Sequence, residues 1–401
     1  MARTVGGNAQ STVKEVTFSA NGTPSASIDI SSWSAGVTDA NAEMIDISPG
    51  GAIALYELVA DANQRAALKA YIDQYIIDNA VRLAYESDAN NNVFSVTDGM
   101  GYVAQGGGVA LGNINGNATP DGVFMAYDAP AGPNQFRYKV ANDMGYGVPT
   151  SFGPVQYVDG LGWDCEGAGI TLADIDRNGQ TDIILMAYDA RTGPNAFLYK
   201  VGFNIDANGA TTNWSPVREV SGISEMSKGA GISFGDIDKN GTLDLVLMAY
   251  DYYSGIGQLR YKVGYNIDVN GSTANWSSLR NTYGMGDLTN GAAISLTDID
   301  GDNNLDLVAF IEDNPNGQNQ YRYKVGYNLN TSGIASYWGG VNTQNACGWE
   351  SEGAGIAFAN LDATPAKEVV IMSVDAGAGQ NEIKYKVGFN LNSSGATTIW
   401  R

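Results

Sequence analysis

The chain has 401 residues, a formal net charge of −21, 44% hydrophobic and only 16% charged residues, and 51 glycines. This acidity argues against nucleic acid and anionic membrane as partners. With no histidine in the sequence, serine–histidine and cysteine–histidine catalysis, histidine metal sites and histidine pH switches all drop out.

The first residues, MARTVGGNAQSTVKEVTF, carry no apolar core of a secretory signal. No run reaches the length of a membrane span, so membrane insertion is not expected. Residues 1–90 form an α+β segment by pattern. STVKEVTFSANGTPSASIDI reads as two strands, and Asp61 is placed to cap a helix over about 61–86. Leu68, Ile72, Tyr75, Ile76, Asn79 and Leu83 fall on one face of that helix at helical spacing.

From residue 91 the chain repeats itself. The stretches DIDRNGQTD, DIDKNGTLD and DIDGDNNLD begin at 174, 236 and 298, a period of 62 residues. The tripeptide Tyr-Lys-Val follows the same period, beginning at Tyr138, Tyr199, Tyr261, Tyr323 and Tyr385. A fixed period of this length signals a repeat architecture. Each unit reads as four strands; in the second these are AGITLADI, DIILMAYD, AFLYKVGFNI and WSPVREV. The second strand is apolar on both faces, as in a strand covered on both sides. The expected fold is an all-β propeller of five blades over 91–401, each of four antiparallel strands, with six or seven blades as the alternative. The last unit stops at Trp400-Arg401, where its fourth strand should begin. Residues 93–97 align with that missing strand and are expected to close the ring.

In the three acidic loops, positions 1, 3, 5 and 9 carry side-chain oxygens and position 7 offers a backbone carbonyl. The candidate metal ligands are Asp174, Asp176, Asn178, Gln180 and Asp182; Asp236, Asp238, Asn240, Thr242 and Asp244; and Asp298, Asp300, Asp302, Asn304 and Asp306. Hard oxygens in this number suit calcium, and about three ions are expected. The loops hold three, three and four carboxylates, so three divalent ions would cancel six charges. The pattern is not an EF-hand, because position 12 is Leu185, Leu247 or Ala309 rather than a bidentate Glu. The first and last units, with NINGNATPD and NLDATPAKE, have lost most of these acids and are expected to be plain polar hairpins.

These loops, followed by DIILMAYD, DLVLMAYD and DLVAFIED, resemble the FG-GAP (VCBS) repeat family, whose blades also occur in integrin α subunits. The resemblance covers about 93–401. It implies a propeller with calcium in the hairpins between first and second strands. It says little about ligand, since the family includes adhesion proteins, lectins and accessory domains of enzymes.

The opposite face collects the loops between second and third strands and the connections between blades. Trp163 with Glu166, and Trp349 with Glu352, break the repeat there. Asn195 and Asn319 stand four residues before the repeated Tyr, as do Asn134 and Asn381. Aromatic rings beside amides and carboxylates suit a pyranose, whose apolar face stacks while its hydroxyls are hydrogen-bonded. The leading expectation is a calcium-stabilised, lectin-like or adhesive module recognising glycans or glycoproteins, in an extracellular or cell-surface setting. The alternatives are a polysaccharide-acting enzyme, either a lyase or a glycosidase using Glu166 and Glu352, and a protein-assembly module without sugar binding. Cys165 and Cys347 lie on interfaces that are not adjacent in a five-blade ring, so a disulfide is not expected.

Overall fold

The computed structural model describes residues 2–4, 44–45, 52–55 and most of 95–401, apart from 99–103, 129–133, 162–164, 190–194, 224–226, 252–256, 283–284, 286–288, 290, 314–319, 347–350, 363 and 376–381. Two compact units are present, Met1–Ala89 and Asn90–Arg401. In the first, Ala2–Thr4, Ala52–Leu55 and Met44–Ile45 form an antiparallel three-stranded sheet with Ala52–Leu55 central. The helix expected at 61–86 lies outside the described residues.

The second unit is a five-bladed β-propeller, not the six- or seven-bladed alternative. The inner strands are Ala104–Gly112, Cys165–Ala173, Ser227–Gly235, Gly291–Thr297 and Ser351–Ala359. Each turns through a hairpin into a second strand: Asp121–Asp128, Asp182–Asp189, Asp244–Asp251, Asp306–Asp313 and Glu368–Asp375. The third strands are Gln135–Asn142, Ala196–Phe203, Gln258–Tyr265, Gln320–Leu329 and Glu382–Phe389. The outer strand is broken into two pieces that pair one after the other along the third; in blade 2 they are Asn213–Trp214 and Arg218–Ser221. In blade 5 the first piece is Ile399–Trp400 and the second is Ser95–Asp98, contributed from the other end of the chain.

The second strands carry the core. Ile183 and Leu185 face blade 1, while Ile184, Met186 and Tyr188 face blade 3, and all five are fully buried. This two-sided burial explains the unbroken apolar run in the sequence. Around the axis, inner strands touch backbone to backbone. A Cβ on Gly353 would lie 2.4 Å from Gly107 N, and one on Gly231 would lie 2.6 Å from Ile294 N. The cavity left on the axis is about 10 Å³, room for roughly one water. Among the described residues the axis is therefore a packed core.

The Tyr-Lys-Val repeat holds the blades to one another. Successive residues of a strand point to opposite faces, so Tyr reaches one neighbour and Lys the other. Tyr138, Tyr199 and Tyr323 donate their phenol O–H to the carbonyls of Gly209, Gly271 and Gly395 in the next blade, each at 2.7 Å. Tyr261 reaches Gly333 O at 3.2 Å, and Tyr385 crosses the ring closure to Gly147 O at 3.5 Å. Burial pushes the phenols of Tyr138, Tyr199, Tyr261 and Tyr323 up, that of Tyr261 to about 12. In the other direction, Lys200 Nζ donates to Asp159 O, Lys262 Nζ to Ser221 O and Lys386 Nζ to Asn345 O, all on the preceding blade. The sequential repeat is thus a structural device between blades.

Replacing Tyr199 by Phe removes one such bond and leaves Gly271 O without its partner. The unfolding free energy in urea should fall by about 1 kcal/mol with an unchanged denaturant slope. An unmoved midpoint would show that the hydroxyl does not join the blades.

Candidate functional site

The acidic hairpins lie between inner and second strands, on the face that also carries the loops from third to outer strands. In each, the chain enters the left-handed region twice. Arg177 (φ 61) and Gly179 (φ 85) do so in blade 2, Lys239 (φ 59) and Gly241 (φ 85) in blade 3, and Gly301 (φ 80) and Asn303 (φ 66) in blade 4. These reversals fold positions 1 to 7 around one point. Asp174 accepts the N–H of Asn178 at 3.0 Å and of Gly179 at 2.9 Å. Asn178 Oδ1 accepts the N–H of Gln180 at 2.8 Å. Asp236 and Asn240 repeat this with Asn240, Gly241 and Thr242. In blade 4, Asp298 accepts from Gly301 and Asn303, and Asp302 from Asn304.

The residue at position 9 is different in kind. Asp182 is fully buried, and its two oxygens accept backbone N–H groups from Ile175 at 2.8 Å and from Asn204 at 2.8 Å. Asp244 does the same with Ile237 and Asn266, and Asp306 with Ile299 and Asn328. Asp121 and Glu368 hold the equivalent positions in blades 1 and 5 and make equivalent bonds. One buried carboxylate in every blade therefore clips the hairpin to the loop after the third strand. Its loop partners Asn204, Asn266, Asn328 and Asn390 all have positive φ. Sequence reading passed over them, although the repeated Phe/Tyr-Asn-Ile/Leu at a 62-residue period was available as a signal.

In blades 2, 3 and 4 this carboxylate has company. Oxygens of Asp174, Asp176 and Asp182 lie within 4.8 Å of one another, as do those of Asp236, Asp238 and Asp244, and of Asp298, Asp300 and Asp306. That span is about twice a calcium–oxygen distance of 2.3–2.6 Å, so a single ion could touch all three. Burial raises the Asp182 carboxyl, against the two N–H donors and together with the Asp176 charge; Asp244 and Asp306 shift the same way. Clustered carboxylates under desolvation are stabilised by a divalent cation. The donor set fits calcium.

Blades 1 and 5 handle the same buried group without such a cluster. In blade 1, Asn115 Nδ2 donates to Asp121 Oδ1 at 3.2 Å and to Asp143 Oδ1 at 3.1 Å, and Asn117 Nδ2 also donates to Asp143. Amide N–H groups stand where a cation would otherwise stand. These bonds hold the Asp143 carboxyl below its usual range. In blade 5, burial pushes Glu368 up to about 7.

Of the other expected site residues, Asn195 is a turn residue (φ 52) whose Oδ1 accepts the Tyr188 hydroxyl at 2.7 Å. Asn134 repeats this with Tyr127. Glu166 lies half-buried on the inner strand of blade 2, and Glu352 lies on the inner strand of blade 5, which is not its neighbour. Trp163, Trp349 and Asn319 lie outside the described residues, as do Asn381 and Cys347. Cys165 is buried, and its thiol donates to Gly167 O at 2.8 Å.

Other aromatics recur on the rim. Trp214, Trp276, Trp338 and Trp400 end the first piece of the outer strand in four blades, and Phe152 takes the place in blade 1. The repeated lysine lies over the ring, with Lys139 Nζ 4.9 Å from the Phe152 centroid, Lys200 Nζ 5.3 Å from Trp214 and Lys324 Nζ 5.6 Å from Trp338. Among the described residues no helix is long and apolar enough to cross a membrane.

No family model and no curated protein matches the chain. Among solved structures it matches NanB sialidase from Streptococcus pneumoniae at 12% identity and a TM-score of 0.36, over 68% of this chain and 38% of that one. AofleA from Arthrobotrys oligospora matches at 8% identity and 0.41, over 77% and 88% of the two chains. The V. cholerae biofilm matrix protein Bap1 matches at 14% and 0.26, over 77% and 43%. The chain thus spans less than half of the sialidase and of Bap1.

Two outcomes follow from the hairpins. Arg177 holds a left-handed conformation that a side chain disfavours by roughly 1 kcal/mol, so Arg177→Gly should raise the urea midpoint slightly; a clear loss would mean that the Arg side chain itself holds the loop. Glu368 has a folded value raised above its unfolded 4.5, so its contribution is greatest at low pH and is lost as pH rises toward 7. Glu368→Gln should therefore gain in stability relative to the unaltered chain between pH 5 and pH 8, and a constant difference across that range would contradict the shift.

Proposed function

We propose that this chain is a calcium-stabilised β-propeller binding module that recognises glycans or glycoproteins without performing chemistry on them. The observation that carries the calcium part is the convergence of three carboxylates in each of three hairpins. The hairpins join two strands and have no flanking helices to move, so the ion's work there is structural. Their place between inner and second strands also supports assigning the blades to the FG-GAP type. Loops without a bidentate Glu suit modest calcium affinity, and an extracellular setting would keep them filled.

The glycan part rests on the rim. An indole or phenyl ring ends the first outer-strand piece of each blade, beside a lysine in blades 1, 2 and 4 and buried in blade 5, with polar outer-strand residues alongside. Stacking surfaces with hydrogen-bonding groups suit sugars, and repetition around a ring lets weak sites add avidity. A second reading, protein assembly, is favoured by one feature: Val217 and Leu279, at equivalent breaks in the outer strands, are 50% and 45% exposed.

Calcium at a hundredfold excess over a site's Kd should stabilise the protein by about 2.7 kcal/mol per site, read as a higher melting temperature that excess chelator reverses. Identical melting curves with calcium and with chelator would remove the metal from the account. A glycan array in calcium buffer should show binding to a restricted set of sugars. Silence across the array, with a protein partner captured through the Val217 and Leu279 edge, would favour the assembly reading.

A further inference from the structure

The rim is not five equal copies. Between blades 2 and 3 lies a groove of about 350 Å³, within the roughly 300–1,000 Å³ of small-ligand pockets. Tyr199 closes its floor, with its hydroxyl fixed on Gly271 O. The blade 2 wall is the second outer piece, Arg218–Ser221, and the blade 3 wall comprises Lys262, Ser272, Thr273 and Trp276. From this groove we infer a binding site for a carboxylated sugar.

The argument is one of charge and shape. Two cations, Arg218 and Lys262, face one carboxylate, Glu219, in a chain whose net charge is −21. An acidic ligand is repelled by most of such a surface and attracted here. The Arg218 guanidinium gives one N–H to Asn270 O at 3.1 Å, while its Nε, like that of Arg280, is buried without a partner among the described residues. It retains donors in the planar fork that suits a carboxylate. Half-buried Trp276 offers a ring for the apolar face of a pyranose, while Ser272 and Glu219 supply partners for its hydroxyls.

The other junctions keep the frame and lose part of this chemistry. The place of Arg218 is taken by Gln156, Asn342 and Ser95 at three of them. At the fourth, Arg280, Lys324 and Trp338 recur and Asn281 replaces Glu219, so both cations are kept; what is lost there is the polar pair Ser272 and Thr273, replaced by Ile334 and Ala335. Structural repeats stay alike where they only pack; here they diverge where a ligand would sit.

The inference rests on the glycan reading, and its test separates the two. Isothermal titration uses trisaccharides ending in glucuronate or in N-acetylneuraminate and a neutral trisaccharide of the same length, in calcium buffer. An acidic trisaccharide should bind at least tenfold more tightly than the neutral one. Arg218→Gln and Lys262→Gln should each weaken it by about tenfold or more, the loss expected for a charge-assisted hydrogen bond, while Arg280→Gln in the next junction should leave it unchanged. The two acidic probes decide which carboxylated sugar fits. Equal affinity for acidic and neutral sugars overturns the inference, as does an Arg218→Gln protein that is folded and binds as tightly as before. If Arg218→Gln fails to fold, the Lys262→Gln result decides. Sugars that bind independently of both cations leave the glycan reading standing and remove this groove; no sugar binding at all removes both.

Discussion

A carboxylate buried at the root of each hairpin is the constraint around which this propeller is organised. Asp121, Asp182, Asp244, Asp306 and Glu368 are all fully buried, and each takes two backbone N–H groups that join the hairpin to the loop after the third strand, beside a backbone bond such as Ile205 N–H to Thr181 O. A buried charge must be compensated or neutralised. The five blades use three routes. Blade 1 brings the amide of Asn115 to Asp121. Blade 5 raises Glu368 toward protonation near neutral pH. Blades 2 to 4 surround the group with further carboxylates, which helps only when a cation is bound, and that is the physical case for calcium in three blades and not in five.

The same construction ties the two faces of a junction to one loop. In blade 3, the loop after the third strand begins at Asn266, whose N–H is held by Asp244 of the acidic hairpin. Five residues on, Gly271 O takes the Tyr199 hydroxyl from blade 2. Asn270 O takes Arg218, and Ser272 and Thr273 form one wall of the groove. An ion in the hairpin and a sugar in the groove would therefore act on a single short segment. Burial and hydrogen bonding already fix its two ends.

Much of this was legible in the sequence because a repeat displays its own period. The spacing of Tyr-Lys-Val predicts five blades, and the two-sided apolar run predicts strands buried on both faces; both hold in the structure. The partners were not legible. Tyr199 and Gly271 are 72 residues apart, a separation that only the ring geometry explains. Asn195 reads equally as a ligand amide or as a turn residue until Tyr188 is found on its Oδ1. The groove between blades 2 and 3 was missed because Arg218, Lys262 and Trp276 each look like ordinary members of the repeat. Their joint effect appears only where two blades meet.

The account is tested most directly by counting calcium. Protein equilibrated with calcium, freed of unbound ion and measured by elemental analysis should carry three ions per chain. Asp176→Asn, Asp238→Asn and Asp300→Asn should each remove one. Five ions would mean that the amide-filled hairpin of blade 1 and the Glu368 hairpin of blade 5 also bind metal, and none would mean that the buried carboxylates are compensated in some other way; either result would contradict the account.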